Sequence, residues 1–123
     1  MQFSGLELSA IVKLAVAVAA SDGNVAEQET AALSLELLKF GIDENAAKKL
    51  IEGAKIIEFK DALTIISLMD NAQKKYVTAF LAVIIAADGK IEDAEIRVWS
   101  LVSAICGLPE MTIGEGVKFW ANN

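Results

Sequence analysis

The residues with the clearest chemical potential are carboxylates around two Asp-Gly pairs, in residues 22–29 and 88–95. Both segments follow the pattern Asp-Gly-x-(Ile/Val)-x-x-x-Glu, which matches the second half of a calcium-binding EF-hand loop. In that loop the glycine makes a sharp turn and the last glutamate supplies two oxygens. Four side chains are therefore candidate metal ligands: Asp22, Glu29, Asp88 and Glu95.

The first half of an EF-hand loop is missing from both segments. The positions of its first two carboxylates hold Val18 and Ala20 in one segment, and Ile84 and Ala86 in the other. These side chains cannot coordinate a cation, so a working EF-hand is excluded and a metal would need carboxylates from both segments. Because all the offered ligands are oxygens, the candidate cations are calcium, magnesium or manganese rather than zinc.

A purely structural interpretation of the same residues stays open. An aspartate between helices accepts hydrogen bonds from the following backbone N–H groups in an Asx turn. Glu29 and Glu95 fall in the first turn of a predicted helix, where the helix dipole favours negative charge. Val25 and Ile91 fit equally well as core side chains.

The two segments belong to an internal duplication, because residues 4–42 align without a gap on residues 70–108. Ser4 with Glu7 and Asp70 with Gln73 each form a capping-box pattern, in which the two side chains cap one helix start reciprocally. Further along the alignment the apolar runs, the Asp-Gly pairs and the terminal glycines coincide. Two copies of one helical unit are therefore predicted.

Each copy predicts three helices, at residues 5–21, 27–40 and 43–55 and at residues 71–87, 93–106 and 110–121. A seventh helix, at residues 59–69, links the copies. The predicted fold is all-α: a compact bundle of about seven helices in a single domain, residues 1–123. Its repeat units are residues 4–55 and 70–121, with the two long apolar helices crossing at the centre.

Composition narrows the class of function. The chain has no histidine, which removes the usual general base at neutral pH, and its one cysteine is predicted to be a buried packing residue. A net charge of −6 argues against nucleic acid and favours cations or a basic protein partner. Apolar runs are too short to span a membrane and no signal peptide is recognised, so a cytoplasmic protein is expected. Because the usual catalytic base is missing, we also expect that the protein is not an enzyme.

The two tryptophans receive different predictions. Trp99 aligns with Leu33 on the inner stripe of its helix and is predicted to lie in the core. Trp120 lies near the end of the sequence, and its exposure beside Val117 and Phe119 would indicate a site for a protein partner.

The two loops also carry a family resemblance. Ala-Ala-Ser-Asp-Gly-Asn-Val before Glu29 and Ala-Ala-Asp-Gly-Lys-Ile before Glu95 each follow an alanine-rich apolar helix. They resemble the two signature segments of the tellurite-resistance TerB-like family, and the resemblance covers essentially the whole chain. It implies an all-helical bundle, metal binding and a role in stress response.

Carried over residue by residue, the resemblance implies Asp22, Glu29, Asp88 and Glu95 as the metal site. Lys90 and Ala26 depart from the pattern, and an ammonium group beside the second loop would weaken a cation site. The expected function is a non-enzymatic binding or scaffold domain associated with stress response. The alternative is a divalent metal-ion binding or sensing protein that uses the carboxylates of the two loops.

Overall fold

A computed structural model describes residues 3–19, 42–87 and 93–122 of the protein. This part of the chain forms six helices and no strand: α1 (Gly5–Ala19), α2 (Glu44–Ile56), α3 (Phe59–Ser67), α4 (Asn71–Ala86), α5 (Asp93–Cys106) and α6 (Ile113–Ala121). The predicted all-α fold is confirmed. The helix predicted at residues 27–40 lies outside the described residues.

Both predicted capping boxes are present. The Glu7 N–H donates to Ser4 Oγ at 3.1 Å and the Ser4 N–H donates to Glu7 Oε1 at 2.8 Å. Asp70 and Gln73 repeat this exchange at the start of α4.

The two capping boxes also touch each other. Gln73 Nε2 donates to Glu7 Oε2 at 3.3 Å, so aligned residues of the two copies are in contact. Such a contact is expected near an approximate two-fold axis. The superposition of residues 4–55 on residues 70–121 remains a prediction.

The core lies around α1 and α4, the two long apolar helices. Ile11 and Leu14 of α1 and Phe80 and Ile84 of α4 are fully buried or nearly so. The two helices pack against each other; α2 and α3 cover α1, and α6 covers α4 along much of its length. Residues 77–82 of α4 are all buried, so this helix is enclosed on all sides there, whereas α5 buries one stripe of side chains. None of the described helices combines the length and the apolar character that crossing a bilayer requires.

Two helix boundaries differ by two or more residues from the approximate bounds that the sequence predicts. The last helix begins at Ile113 and not at Glu110, because Thr112 caps it and forms a capping box with Glu115. The linking helix ends at Ser67 and not at Met69. There the N–H groups of Leu68 and Met69 donate to carbonyl oxygens three residues back, which tightens the last turn.

The sequence left open whether Trp120 is exposed, and the structure shows that this side chain is buried, with 3% exposed. Its ring lies 5.4 Å from that of Phe80 and 5.8 Å from that of Tyr76, measured between ring centroids. Gly116, one turn before Trp120, lets α6 lie close enough to α4 for this packing, since a Cβ on Gly116 would lie 2.6 Å from Ala82 Cβ. The interpretation of Trp120 as a partner site is therefore abandoned.

Candidate functional site

Glu95 is the one predicted metal ligand that falls in the described part of the chain. It lies in the first turn of α5, as predicted, but it is only 2% exposed, whereas Asp93 in the same turn is exposed. Asp22, Glu29 and Asp88 lie outside the described residues. The convergence of the four carboxylates therefore stays a prediction.

The spacing of Glu95 from two apolar residues further along the sequence indicates that its side chain is buried. Glu95 precedes Val102 by seven residues and Cys106 by eleven, a spacing that places all three on one stripe of a helix. Those three are the buried residues of α5. An ionised carboxylate at this depth needs compensating charge or hydrogen bonds, and the N-terminal end of the helix supplies part of that compensation.

No cluster of three or more histidine, cysteine, aspartate or glutamate side chains suited to a metal occurs among residues 3–19, 42–87 and 93–122. Within these ranges Glu95 therefore belongs to no group of three or more such side chains. A metal site would have to be completed from the two Asp-Gly loops.

Cys106 occupies a packing position at the end of α5, as predicted. Its side chain is 1% exposed, and the thiol donates to the Leu63 carbonyl oxygen at 3.5 Å. Burial raises the pKa of the Cys106 thiol, and the charge of Lys74 offsets only part of that rise. The thiol is therefore protonated at neutral pH, which removes its nucleophilic form.

A surface groove, not predicted from the sequence, lies between the second half of α5 and the start of α6. Its volume is about 780 Å³. Trp99, which was predicted to lie in the core, forms part of the wall of the groove. Its side chain is half-buried and packs against the core. The groove arises where Gly107 ends α5 and the chain turns toward α6, and no motif in the sequence marks it. Its lining residues are Trp99, Ser100, Ser103, Ala104, Gly107, Leu108, Pro109, Glu110, Met111, Thr112 and Glu115.

The outer face of α5 adjoins this groove. Arg97, Leu101 and Ile105 follow one another at four-residue spacing and are all exposed. Leu101 is 56% exposed and Ile105 is 52% exposed. This is an apolar surface on a helix whose opposite side already fills the core.

The described residues form an all-α bundle with a buried carboxylate in the first turn of α5. The model of the family described as tellurite resistance protein TerB matches residues 8–114, and the chain belongs to that family. The family resemblance noted in the sequence is thereby confirmed.

Among solved structures the chain is similar to a crystal structure of a protein of unknown function from Porphyromonas gingivalis W83. The two are 40% identical in sequence with a TM-score of 0.90, and the match covers 99% of this chain and 92% of the other. No curated protein matches the chain.

Proposed function

We propose that this TerB-family protein is a non-enzymatic binding module that serves a stress response. The observation that carries the proposal is the exposed apolar face of α5, with Leu101 and Ile105 each more than half exposed. Two large apolar side chains exposed one turn apart on a helix form a patch of the kind that a partner covers, whereas a singly exposed one such as Ile56 is ordinary. The protonated, buried Cys106 and the lack of histidine support binding over catalysis.

The test pairs a growth assay with a matched control. In a strain of the source organism that lacks the gene, we expect reduced growth under tellurite stress, restored by the wild-type chain. A Leu101→Glu/Ile105→Glu variant should fail to restore growth because it charges the binding face. Ile56→Glu, which makes the same change at a position 84% exposed on α2, should restore it. Circular dichroism would verify that both variants are folded.

Full rescue by the Leu101→Glu/Ile105→Glu variant would remove the α5 face from the function. A gene deletion without any stress phenotype would contradict the stress-response part of the proposal.

Divalent cation binding is the second candidate, and the burial of Glu95 favours it. A cation held jointly by Glu95 and the predicted ligands Asp22, Glu29 and Asp88 would stabilise the charged form of a carboxylate that is 2% exposed. Binding to the native state alone would stabilise the protein by about 2.7 kcal/mol at a free cation concentration one hundred times Kd.

Thermal unfolding with and without calcium, magnesium or manganese tests this candidate. We expect Tm to rise with at least one cation in the wild-type chain and to lose that response in Glu95→Gln. Glu52→Gln removes the same charge from an exposed position on α2 and should keep the response. No change in Tm and no heat of binding at millimolar cation would leave the loops with a structural role.

A further inference from the structure

The groove between α5 and α6 has the size and lining of a peptide-binding site. Its volume of about 780 Å³ falls in the range of pockets that enclose small ligands or a few side chains. Trp99, Leu108, Pro109 and Met111 give it an apolar surface, and Ser100 and Ser103 add hydroxyl groups. Tryptophan walls of this kind contribute strongly where proteins bind one another.

The charged residues that line the groove are acidic. Its charged lining residues are Glu110 and Glu115, and both are exposed. Hydrogen bonds from the backbone and side chain of Thr112 lower the pKa of Glu115, so this carboxylate is ionised at neutral pH. A cationic group would be attracted to this part of the groove, and an anionic one would be repelled.

The wall of the groove is held in place by local hydrogen bonds. Gly107 ends α5 in the left-handed conformation, with φ of 66°, and the Leu108 N–H donates to the Ser103 carbonyl oxygen at 2.9 Å. The capping box of Thr112 and Glu115 fixes the other side at the start of α6. A surface ordered before binding loses less conformational entropy when a partner docks.

From this shape, lining and charge we propose that the groove binds a short peptide segment of a partner protein, in which an apolar side chain stands next to lysine or arginine. The apolar side chain lies against Trp99 and Met111, and the cationic one faces Glu110 and Glu115. Lys74 approaches the groove at Gly107, where its Nζ lies 3.6 Å from the position of a Cβ. Because two positive charges repel each other, the basic residue of the peptide lies away from the Gly107 end of the groove.

This inference rests on the proposed binding function and specifies the chemistry of its partner. A second copy of the chain is the weaker occupant, because it would bring the same acidic groove and a net charge of −6 to the contact. A basic peptide segment would be attracted both by the acidic groove and by the net negative charge of the protein.

The experiment starts with selection from a random heptapeptide library displayed on phage, using the full chain as the target. We expect enrichment of sequences that pair an aromatic or branched apolar residue with lysine or arginine. The enriched peptide, labelled with fluorescein, is then titrated by anisotropy. Glu110→Gln/Glu115→Gln should weaken its binding by about fivefold or more, and Ala104→Trp, which fills the groove, by about tenfold or more.

Matched controls separate these effects from general changes. Glu52→Gln removes one charge on α2, and Ala121→Trp places an indole at the exposed end of α6, so both should leave the affinity unchanged. The affinity should also fall as salt is raised, because the attraction to Glu110 and Glu115 is screened. Glutamine can replace glutamate in the capping box, so Glu115→Gln leaves α6 folded.

Several outcomes would overturn the inference: no enriched sequence, enrichment of acidic sequences, or a peptide whose affinity is the same for Ala104→Trp. If the peptide binds the Leu101 and Ile105 face and Ala104→Trp has no effect, the groove assignment fails while the binding function stands. If the peptide binds the groove but gene deletion has no stress phenotype, the stress-response function fails and the groove assignment stands.

Discussion

Cys106 is the last residue of α5, and its side chain is buried, with 1% exposed. We expect its thiol to react with a disulfide reagent in the folded protein at least about a hundredfold more slowly than in the urea-unfolded chain. The unfolded chain is the control for intrinsic reactivity, and an absorbance assay with Ellman's reagent measures both rates. Equal rates would show that the thiol is accessible and would contradict a packing role.

The raised pKa of Cys106 also has a consequence for stability. The folded state keeps the thiol proton to higher pH than the unfolded state does. The contribution of the Cys106 thiol to the free energy of unfolding is therefore complete below the pKa of the thiol in the unfolded chain, about 8.5. That contribution is lost as pH rises through the pKa of the thiol in the folded state. Urea unfolding between pH 7 and pH 10 should show a decline that is smaller in Cys106→Ala.

Glu115 gives the opposite pH dependence. Hydrogen bonds from Thr112 lower the pKa of this carboxylate in the folded state. Its contribution to stability is present above the unfolded glutamate pKa and is lost as pH falls through the folded value. An NMR titration should place the Glu115 midpoint lower in the wild-type chain than in Thr112→Val, which keeps the Thr112 backbone N–H but lacks the hydroxyl that donates to the carboxylate. Identical midpoints would mean that the capping box does not persist in solution.

Helix packing depends on Gly116. A Cβ built there would lie 2.6 Å from Ala82 Cβ and 3.4 Å from Ala79 Cα, so α6 would have to move away from α4. Gly116→Ala should lower the free energy of unfolding by about 1–3 kcal/mol, measured by urea denaturation.

Gly114 in the same helix is the matched control for this change. It is exposed, and a Cβ there would lie 3.9 Å from Thr112 Oγ1, an ordinary contact. Gly114→Ala should therefore be neutral or stabilise the protein by up to about 1 kcal/mol, because alanine favours helix. Similar losses for the two variants would refute the close-packing explanation.

The helices show which structural features the sequence can predict. The start of α4 and the end of α5 matched the prediction because a capping pattern and Gly107 mark them locally. The start of α6 differs from the prediction because both Glu110 and Thr112 are polar, and only the capping box of Thr112 with Glu115 marks Thr112 as the helix cap.

Burial and sites were harder to predict than helices because they depend on tertiary contacts. Trp120 aligns with the small residue Ala54, so the repeat gave no indication that an indole fits there; it fits because Gly116 brings α6 close to α4. Glu95 was assigned correctly to a first turn, but its depth depends on the helices around α5. The groove has no sequence signal, since it arises from the angle at which the chain leaves Gly107.

At the scale of the whole molecule, the two copies share one core. α1 belongs to the first copy and α4 to the second, yet they pack together, and Glu7 bonds across the copies to Gln73. Among the described residues, the long apolar helix of each copy therefore has part of its surface covered by the other copy. The domain is therefore expected to unfold in one transition, in which neither copy persists without the other.

The distribution of tryptophan makes this expectation testable. Trp99 and Trp120 both belong to the second copy, so fluorescence reports on that copy, whereas far-ultraviolet circular dichroism reports on all helices. In urea the two signals should give coincident curves. Leu14→Ala removes a fully buried side chain from the first copy and should cost about 2–5 kcal/mol. With one shared core, this change must shift the fluorescence midpoint as far as the dichroism midpoint. A fluorescence curve that keeps its wild-type midpoint in Leu14→Ala would show instead that the second copy folds independently.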